Sequence, residues 1–249
     1  MIHRVWSGER DGRAPVVLLH EGLGSVSAWG GFPDRLAAAT GRAVLTADRA
    51  GYGRSTPKPG PWPASFLHDE AASLASLLVE EEVERPILVG HSDGASIALL
   101  YPGRGVPAGG PEPIGILSLS AHVMVEPICV EAIERLRARA DEGLVRALGR
   151  HHDDPAATFE AWSEVWVSDR FRTWAIDDDL GAIRCPVVAL QGVDDGFGTR
   201  AQIDRLAAGV TGRVSTELLP GVDHWPHREA HEVVLARAER LVRMVDGDE

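Results

Sequence analysis

The chain has 249 residues, 44% hydrophobic and 25% charged, the balance of one large globular domain and not of a disordered or fibrous chain. A formal charge of −12 would repel phosphates, so neither nucleic acid nor an anionic membrane is expected as a partner. Two cysteines, Cys129 and Cys185, make no metal-binding spacing, no apolar run approaches bilayer length, and Met1–Trp6 lacks an apolar leader core, so the expectation is a cytoplasmic, metal-free protein.

Residues 2–6 read as an early strand before a turn at Gly8–Gly12. Pro15-Val16-Val17-Leu18-Leu19-His20 is a short continuous apolar run, the pattern of a strand buried on both faces. A helix is predicted over about 29–39, and Ala43–Asp48 is a second buried strand. Pro57 to Pro63 is Pro/Gly-rich and irregular. From Phe66 to Glu82, Leu67, Ala71, Leu74 and Leu78 keep helical spacing. A strand over 86–89 leads into a helix over 93–101, and 114–119 is the next buried strand. Strand and helix thus alternate from residue 15 to 120, which predicts a parallel sheet with helices on both faces.

The rhythm stops after Ala121. No strand is predicted from Val123 to about Ile183. Ile133, Leu136, Ala140, Leu144 and Leu148 share one helical face, and Phe159, Trp162, Trp166, Phe171 and Trp174 form an aromatic cluster. Alternation then resumes with strand 186–190, helix 200–208, strand 214–218 and an amphipathic helix carrying Val234, Ala238, Leu241 and Val245. The division predicted is a core of 1–122 and 184–249 with a helical lid at 123–183.

Chemistry enters where Ile87-Leu88-Val89 runs into Gly90-His91-Ser92-Asp93-Gly94. A strand, then G-x-S-x-G, then a helix is the context of a nucleophile elbow, which lifts a serine clear of its backbone. A serine hydroxyl needs a base, and the base needs an orienting acid. Candidates follow later strands in that order: Asp194-Asp195 after Val187–Leu190, then Asp223-His224 and His227 after Leu218-Leu219.

Five ordered motifs, HEGLGS from His20, DRAGYGRS from Asp48, GHSDG from Gly90, QGVDD from Gln191 and GVDHWPH from Gly221, resemble the α/β-hydrolase superfamily over nearly all of the chain outside the lid. The resemblance implies an α/β-hydrolase fold, a mostly parallel central sheet flanked by helices with the lid inserted after the sixth strand. It matches Ser92 to the nucleophile, Asp195 to the acid and His224 to the base. Asp194 and His227 stand as rivals and Asp223 as a loop residue; His227, after Pro226 at the start of the last helix, otherwise reads as a surface or capping residue. The resemblance also implies an oxyanion hole from the Asp93 and Gly22 amides. Glu21, standing between His20 and Gly22, departs from the common His-Gly form and keeps Leu23 open as the second donor.

The Asp93 side chain is expected to turn away from the developing charge, as a helix N-terminal carboxylate. His91 reads as elbow packing, His20 as a structural hydrogen-bonding residue, and His151-His152 as solvated lid loop. Leu23, His122, Glu126, Trp162, Trp166 and Trp174 are the candidate substrate contacts. The expected activity is cofactor-free hydrolysis of a small, largely apolar ester or lactone through an acyl-enzyme. C–C bond hydrolysis of the meta-cleavage-product type and a small-ligand receptor on the same fold stand as alternatives.

Overall fold

The computed structural model describes residues 1–248. Its centre is a seven-stranded sheet: β1 (Arg4–Ser7), β2 (Val16–Leu19), β3 (Val44–Ala47), β4 (Ile87–His91), β5 (Gly115–Leu119), β6 (Val187–Gly192) and β7 (Val214–Leu219). The spatial order is β1-β3-β2-β4-β5-β6-β7. Only β1 is antiparallel, pairing Arg4 with Ala47 and Ser7 with Val44. The others run parallel, with Val16 opposite Ile87 and Ile87 opposite Gly115.

The continuous apolar runs have a physical reason. Successive side chains of a strand point to opposite faces, and here both faces are covered. Val16, Leu18, Ile87, Val89, Leu117 and Leu119 pack on one side with Phe32 and Leu36 of α1 (Phe32–Thr40) and Val234, Ala238 and Leu241 of α10 (His231–Asp246). Val17, Leu19, Leu88 and Ile116 pack on the other with α2 (Phe66–Glu80), α3 (Asp93–Arg104) and α8 (Arg200–Gly209). A short α9 (Pro226–Glu229) precedes α10.

Between β5 and β6 the chain forms α4 (Pro127–Ala138), α5 (Glu142–Leu148), α6 (Pro155–Val167), a single turn at Asp169–Phe171, and α7 (Asp177–Leu180). This insertion follows the fifth strand, which corrects the expected position after the sixth. The eight residues between β1 and β2 turn at Gly8 and Gly12, both at positive φ, and leave no room for another strand. The single apolar face expected over 133–148 is broken into two helices. Asp141 starts α5 by accepting the Leu144 amide at 2.9 Å.

Backbone bonds from Val125 N–H to the Trp174 carbonyl (3.1 Å) and from Ile176 N–H to the Val123 carbonyl (2.9 Å) tie the two ends of the insertion together. Of the cysteines, Cys129 is the buried one; Cys185 is partly exposed. No helix among the described residues is long and apolar enough to cross a membrane.

Candidate active site

Ser92, Asp195 and His224 each follow the carboxyl end of a strand, where open α/β sheets place their ligands. Ser92 follows β4 at φ 53° and ψ −120°, a conformation costing a non-glycine residue about 1–3 kcal/mol. The flanking glycines make it reachable. A Cβ on Gly90 would lie 2.3 Å from the Gly94 carbonyl oxygen, and one on Gly94 would lie 2.1 Å from that of Leu19. The turn is held by the Ser92 amide, which donates to the Leu119 carbonyl at 2.9 Å.

Ser92 Oγ lies 2.9 Å from His224 Nε2, and His224 Nδ1 lies 2.9 Å from Asp195 Oδ1. All three side chains are buried. Asp195 Oδ1 also accepts the amides of Phe197 (2.8 Å) and Gly198 (3.2 Å). Burial alone would raise the Asp195 carboxyl. The hydrogen bond and charge of His224, with the Phe197 amide, outweigh it and hold the group below the usual carboxylate range. An ionised acid here keeps Nδ1 protonated and leaves Nε2 free to accept from Ser92.

The rivals have other work. Asp194 is exposed. Asp223 Oδ1 accepts the amides of Gly196 (3.0 Å) and His224 (2.8 Å), joining the β6 and β7 loops. His227 is buried, not the surface or capping residue expected, with its ring 4.8 Å from Trp29 and 4.7 Å from His91. Burial first, then the charge of His91, pushes it down to about 2.

Beside Ser92 is a cavity of about 90 Å³ lined by Glu21, Gly22, Leu23, Asp93, His122, Trp162 and Trp166, with Cys129, Ile133 and Leu136 of α4 and Phe197 and Trp225 beside His224. A cleft of about 950 Å³ lies at the amino ends of the parallel strands, among Trp6, Arg13, Arg42 and Arg85. It holds no nucleophile–base pair and is not the site.

Gly22 and Asp93 flank Ser92, and their amides, like that of Leu23, have no acceptor within the described residues. The Asp93 carboxylate is buried under the insertion: Trp162 Nε1 donates to Oδ2 at 3.1 Å, and the Arg49 guanidinium lies 3.9 Å away. Burial raises it to about 6, against the opposing pull of Arg49 and Trp162. The same indole sits on Gly22, where a Cβ would lie 2.1 Å from Trp162 Nε1. One tryptophan therefore touches both Asp93 and Gly22, the two residues expected to supply the oxyanion donors.

His122 lines the cavity with its ring 5.0 Å from Trp166 and 5.8 Å from His224. Burial, then the charge of His224, lowers it to about 3, so it is neutral at ordinary pH.

Two expected contacts are displaced. Glu126 is outside the cavity, accepting from the Thr199 amide (2.9 Å) and hydroxyl (2.6 Å) and from Gln202 Nε2 (2.7 Å). Its carboxylate ties the start of α4 to the start of α8, a use for three donors that a rim position would leave unmet. Trp174 stacks on Phe171 at 5.1 Å, away from the cavity. His152, expected in solvent, is buried: Nδ1 accepts the Gly53 amide (2.9 Å) and Nε2 donates to the Leu23 carbonyl (3.0 Å), pinning the insertion to two core loops. His20 accepts the Arg49 amide at Nε2 (3.1 Å), a structural role.

Phe197 and Trp225 flank His224 with ring centroids at 4.7 and 5.4 Å, and sequence reasoning passed over both. Each stands within two residues of the acid or base, which was the available signal. Cys129, Ile133 and Leu136 have i, i+4, i+7 spacing, which marks one face of a helix but not what that face meets.

The profile of the group described as Alpha/beta hydrolase family matches residues 16–237. Two curated relatives are proline iminopeptidases: that of Levilactobacillus brevis is 36% identical over 101 residues, and that of Lactiplantibacillus plantarum 34% over 102. The matched segments cover 40% of this chain and only 33–34% of those proteins. Among solved structures, the proline iminopeptidase of Mycobacterium smegmatis superposes with a TM-score of 0.70 at 20% identity, over 100% of this chain and 96% of that one. The enol-lactonase of Burkholderia xenovorans LB400 gives 0.73 at 17% identity, over 97% and 96%. At such identities the structural likeness speaks to the fold alone.

Proposed function

The chain belongs to the alpha/beta hydrolase family, and from that premise we propose that it is a serine hydrolase of small, largely apolar carboxylic esters or lactones. The observation that carries the reading is the unbroken relay from Ser92 Oγ through His224 to Asp195, with both links at 2.9 Å, opening on a small apolar cavity. In this reading His224 Nε2 takes the Ser92 proton as Oγ attacks the substrate carbonyl. Asp195 stabilises the imidazolium that forms. The Asp93 amide and that of Gly22 donate to the oxyanion, and loss of one such donor typically costs about 10²–10³ in rate.

Collapse of the tetrahedral intermediate expels the alcohol, which takes its proton from His224 and leaves the acyl group on Ser92. A water then gives its proton to His224 and attacks the acyl carbon. Its collapse releases the acid and returns the proton to Oγ. No cofactor enters any step.

The cavity is far below the ~300 Å³ at which drug-sized ligands begin to fit, which favours a short acyl group. The helices of 123–183 act as the lid, with Trp162 and Trp166 as its substrate-facing wall and Leu23 and His122 completing the pocket from the core.

A peptidase reading has the two curated relatives in its favour. An N-terminal amine would seek a carboxylate, and the two that line the cavity are already engaged: Asp93 accepts from Trp162 and faces Arg49, and Glu21 faces His91 and Arg228, so the ester reading is preferred.

Intact mass after incubation with p-nitrophenyl esters of graded acyl length, beside proline p-nitroanilide, separates the two. The expected result is an acyl adduct and turnover with the shortest esters, lost in Ser92→Ala by several orders of magnitude while folding is retained. Turnover of the anilide without the esters would replace the ester reading. Wild-type rates in Ser92→Ala would end both.

A further inference from the structure

His91, beneath the relay, and Glu21, at the wall of the cavity, have no part in the chemistry described above. His91 closes β4 one residue before Ser92 and is fully buried. Its Nε2 lies 2.7 Å from the backbone carbonyl of His224. A carbonyl only accepts, so Nε2 carries a proton and spends it on the peptide unit that bears the base. The other ring nitrogen, Nδ1, has no hydrogen-bond partner among the described residues and lies 3.6 Å from Glu21 Oε2, an ion-pair contact when the ring carries both protons.

Glu21 is built into place. Its carbonyl accepts from His20 Nδ1 (2.8 Å), Arg49 Nη2 (2.9 Å) and the Gly24 amide (3.1 Å). Its other carboxylate oxygen faces Arg228 of α9 at 3.7 Å. A Cβ on Gly24 would fall 2.4 Å from Oε2, so the glycine opens the space the carboxylate fills. The ring of His227, kept neutral by burial, packs on His91 with ring centroids 4.7 Å apart. Burial works against a charged Glu21, yet the facing His91 ring prevails and holds the carboxyl well below the usual range.

The sequence neighbour of Glu21 is Gly22, one of the two amides facing Ser92. A path of polar contacts therefore runs from the oxyanion loop through Glu21 and His91 to the backbone of the base, joining three loops that are distant in the chain. We propose that Glu21 and His91 are positioning residues that lock the oxyanion loop and the His224 loop to the elbow; the proposal rests on Ser92 and His224 being nucleophile and base. A displacement of about 1 Å between reacting groups costs about 10²-fold, so loosening this tie should lower the chemical step and leave substrate binding alone.

The test compares wild type with Glu21→Ala, Glu21→Gln, His91→Phe and Ser92→Ala. Readouts are kcat and KM on a short p-nitrophenyl ester, and the rate of Ser92 labelling by a fluorophosphonate, which needs no natural substrate. Glu21→Ala should lose about tenfold to a hundredfold in kcat and in labelling rate, with KM within about twofold. Glu21→Gln, whose amide still reaches Nδ1, should recover most of that loss. His91→Phe fills the same space without either polar contact and should fall at least as far as Glu21→Ala.

Wild-type kcat and labelling in Glu21→Ala would overturn the proposal, as would a loss that the Gln variant does not restore. If wild type labels no faster than Ser92→Ala, the hydrolase reading fails and the proposal with it. A Ser92-dependent activity indifferent to Glu21 removes the proposal alone.

Discussion

Replacing Asp93 by Asn tests how much a buried carboxylate costs this fold. The substitution keeps shape and leaves an amide oxygen to accept the Trp162 indole N–H, which Asp93 Oδ2 now accepts at 3.1 Å. It removes a charge that burial raises from 3.8 to about 6, even with Arg49 3.9 Å away. The folded chain thus holds this proton more tightly than the unfolded chain. Stability from the group is complete below pH 4, falls as pH rises through about 6, and stays lost above.

At about 1.4 kcal/mol per pH unit, the cost of ionised Asp93 is about 3 kcal/mol at pH 8 and about 1 kcal/mol at pH 4.5. The attraction of Arg49 is already contained in those values, because it acts only on the charged form. Denaturant unfolding of both proteins across pH 4.5–8 should therefore show the Asn variant gaining about 2 kcal/mol on wild type between the two ends. That corresponds to roughly 4–8 °C in melting temperature for a chain of this size. A difference that stays flat across this range, or falls as pH rises, would refute the assignment of Asp93 as a buried acid with a raised pKa.

Three further outcomes follow from the same geometry. Gly22→Ala pushes a methyl to within 2.1 Å of Trp162 Nε1 and should lower kcat/KM by about 10²-fold, the scale of one lost oxyanion donor; wild-type kinetics would remove Gly22 from the site. His122, lowered to about 3 by burial and by His224, should show imidazole proton shifts that stay flat from pH 5 to 8, and an NMR midpoint between 5.5 and 7 would contradict that environment. Glu126→Ala breaks the tie from α4 to α8 and should cost about 1 kcal/mol of stability, with KM within twofold. A large rise in KM would return Glu126 to the substrate.

What was legible in the chain had a local cause. Strands buried on both faces leave unbroken runs such as Val16–Leu19, and the elbow needs glycines at fixed offsets from Ser92 because a backbone occupies the space a Cβ would take. Asp195 and His224 stood out because the relay needs an acid and a base after successive strands, and residue type with element order is readable one loop at a time.

What was misread depends on partners far along the chain. His152 looks solvated until Gly53 and Leu23 close on it, 99 and 129 residues away. His227 looks like a cap until Trp29 and Phe32 cover it, and Glu126 looks like a rim residue until α8 brings three donors.

Asp93 and Glu21 make the sharper case. Both stood out in the sequence as acids beside the oxyanion loop, where negative charge opposes the developing transition state. Each is held by contacts outside its own segment: Asp93 by Trp162 of the insertion and Arg49, Glu21 by His91 and Arg228. The sequence displays the local liability of each acid, while the compensation lies in the tertiary structure. Charge next to the reacting atoms is tolerable where surrounding donors already hold it, and in this chain the same donors connect the loops that must stay in register.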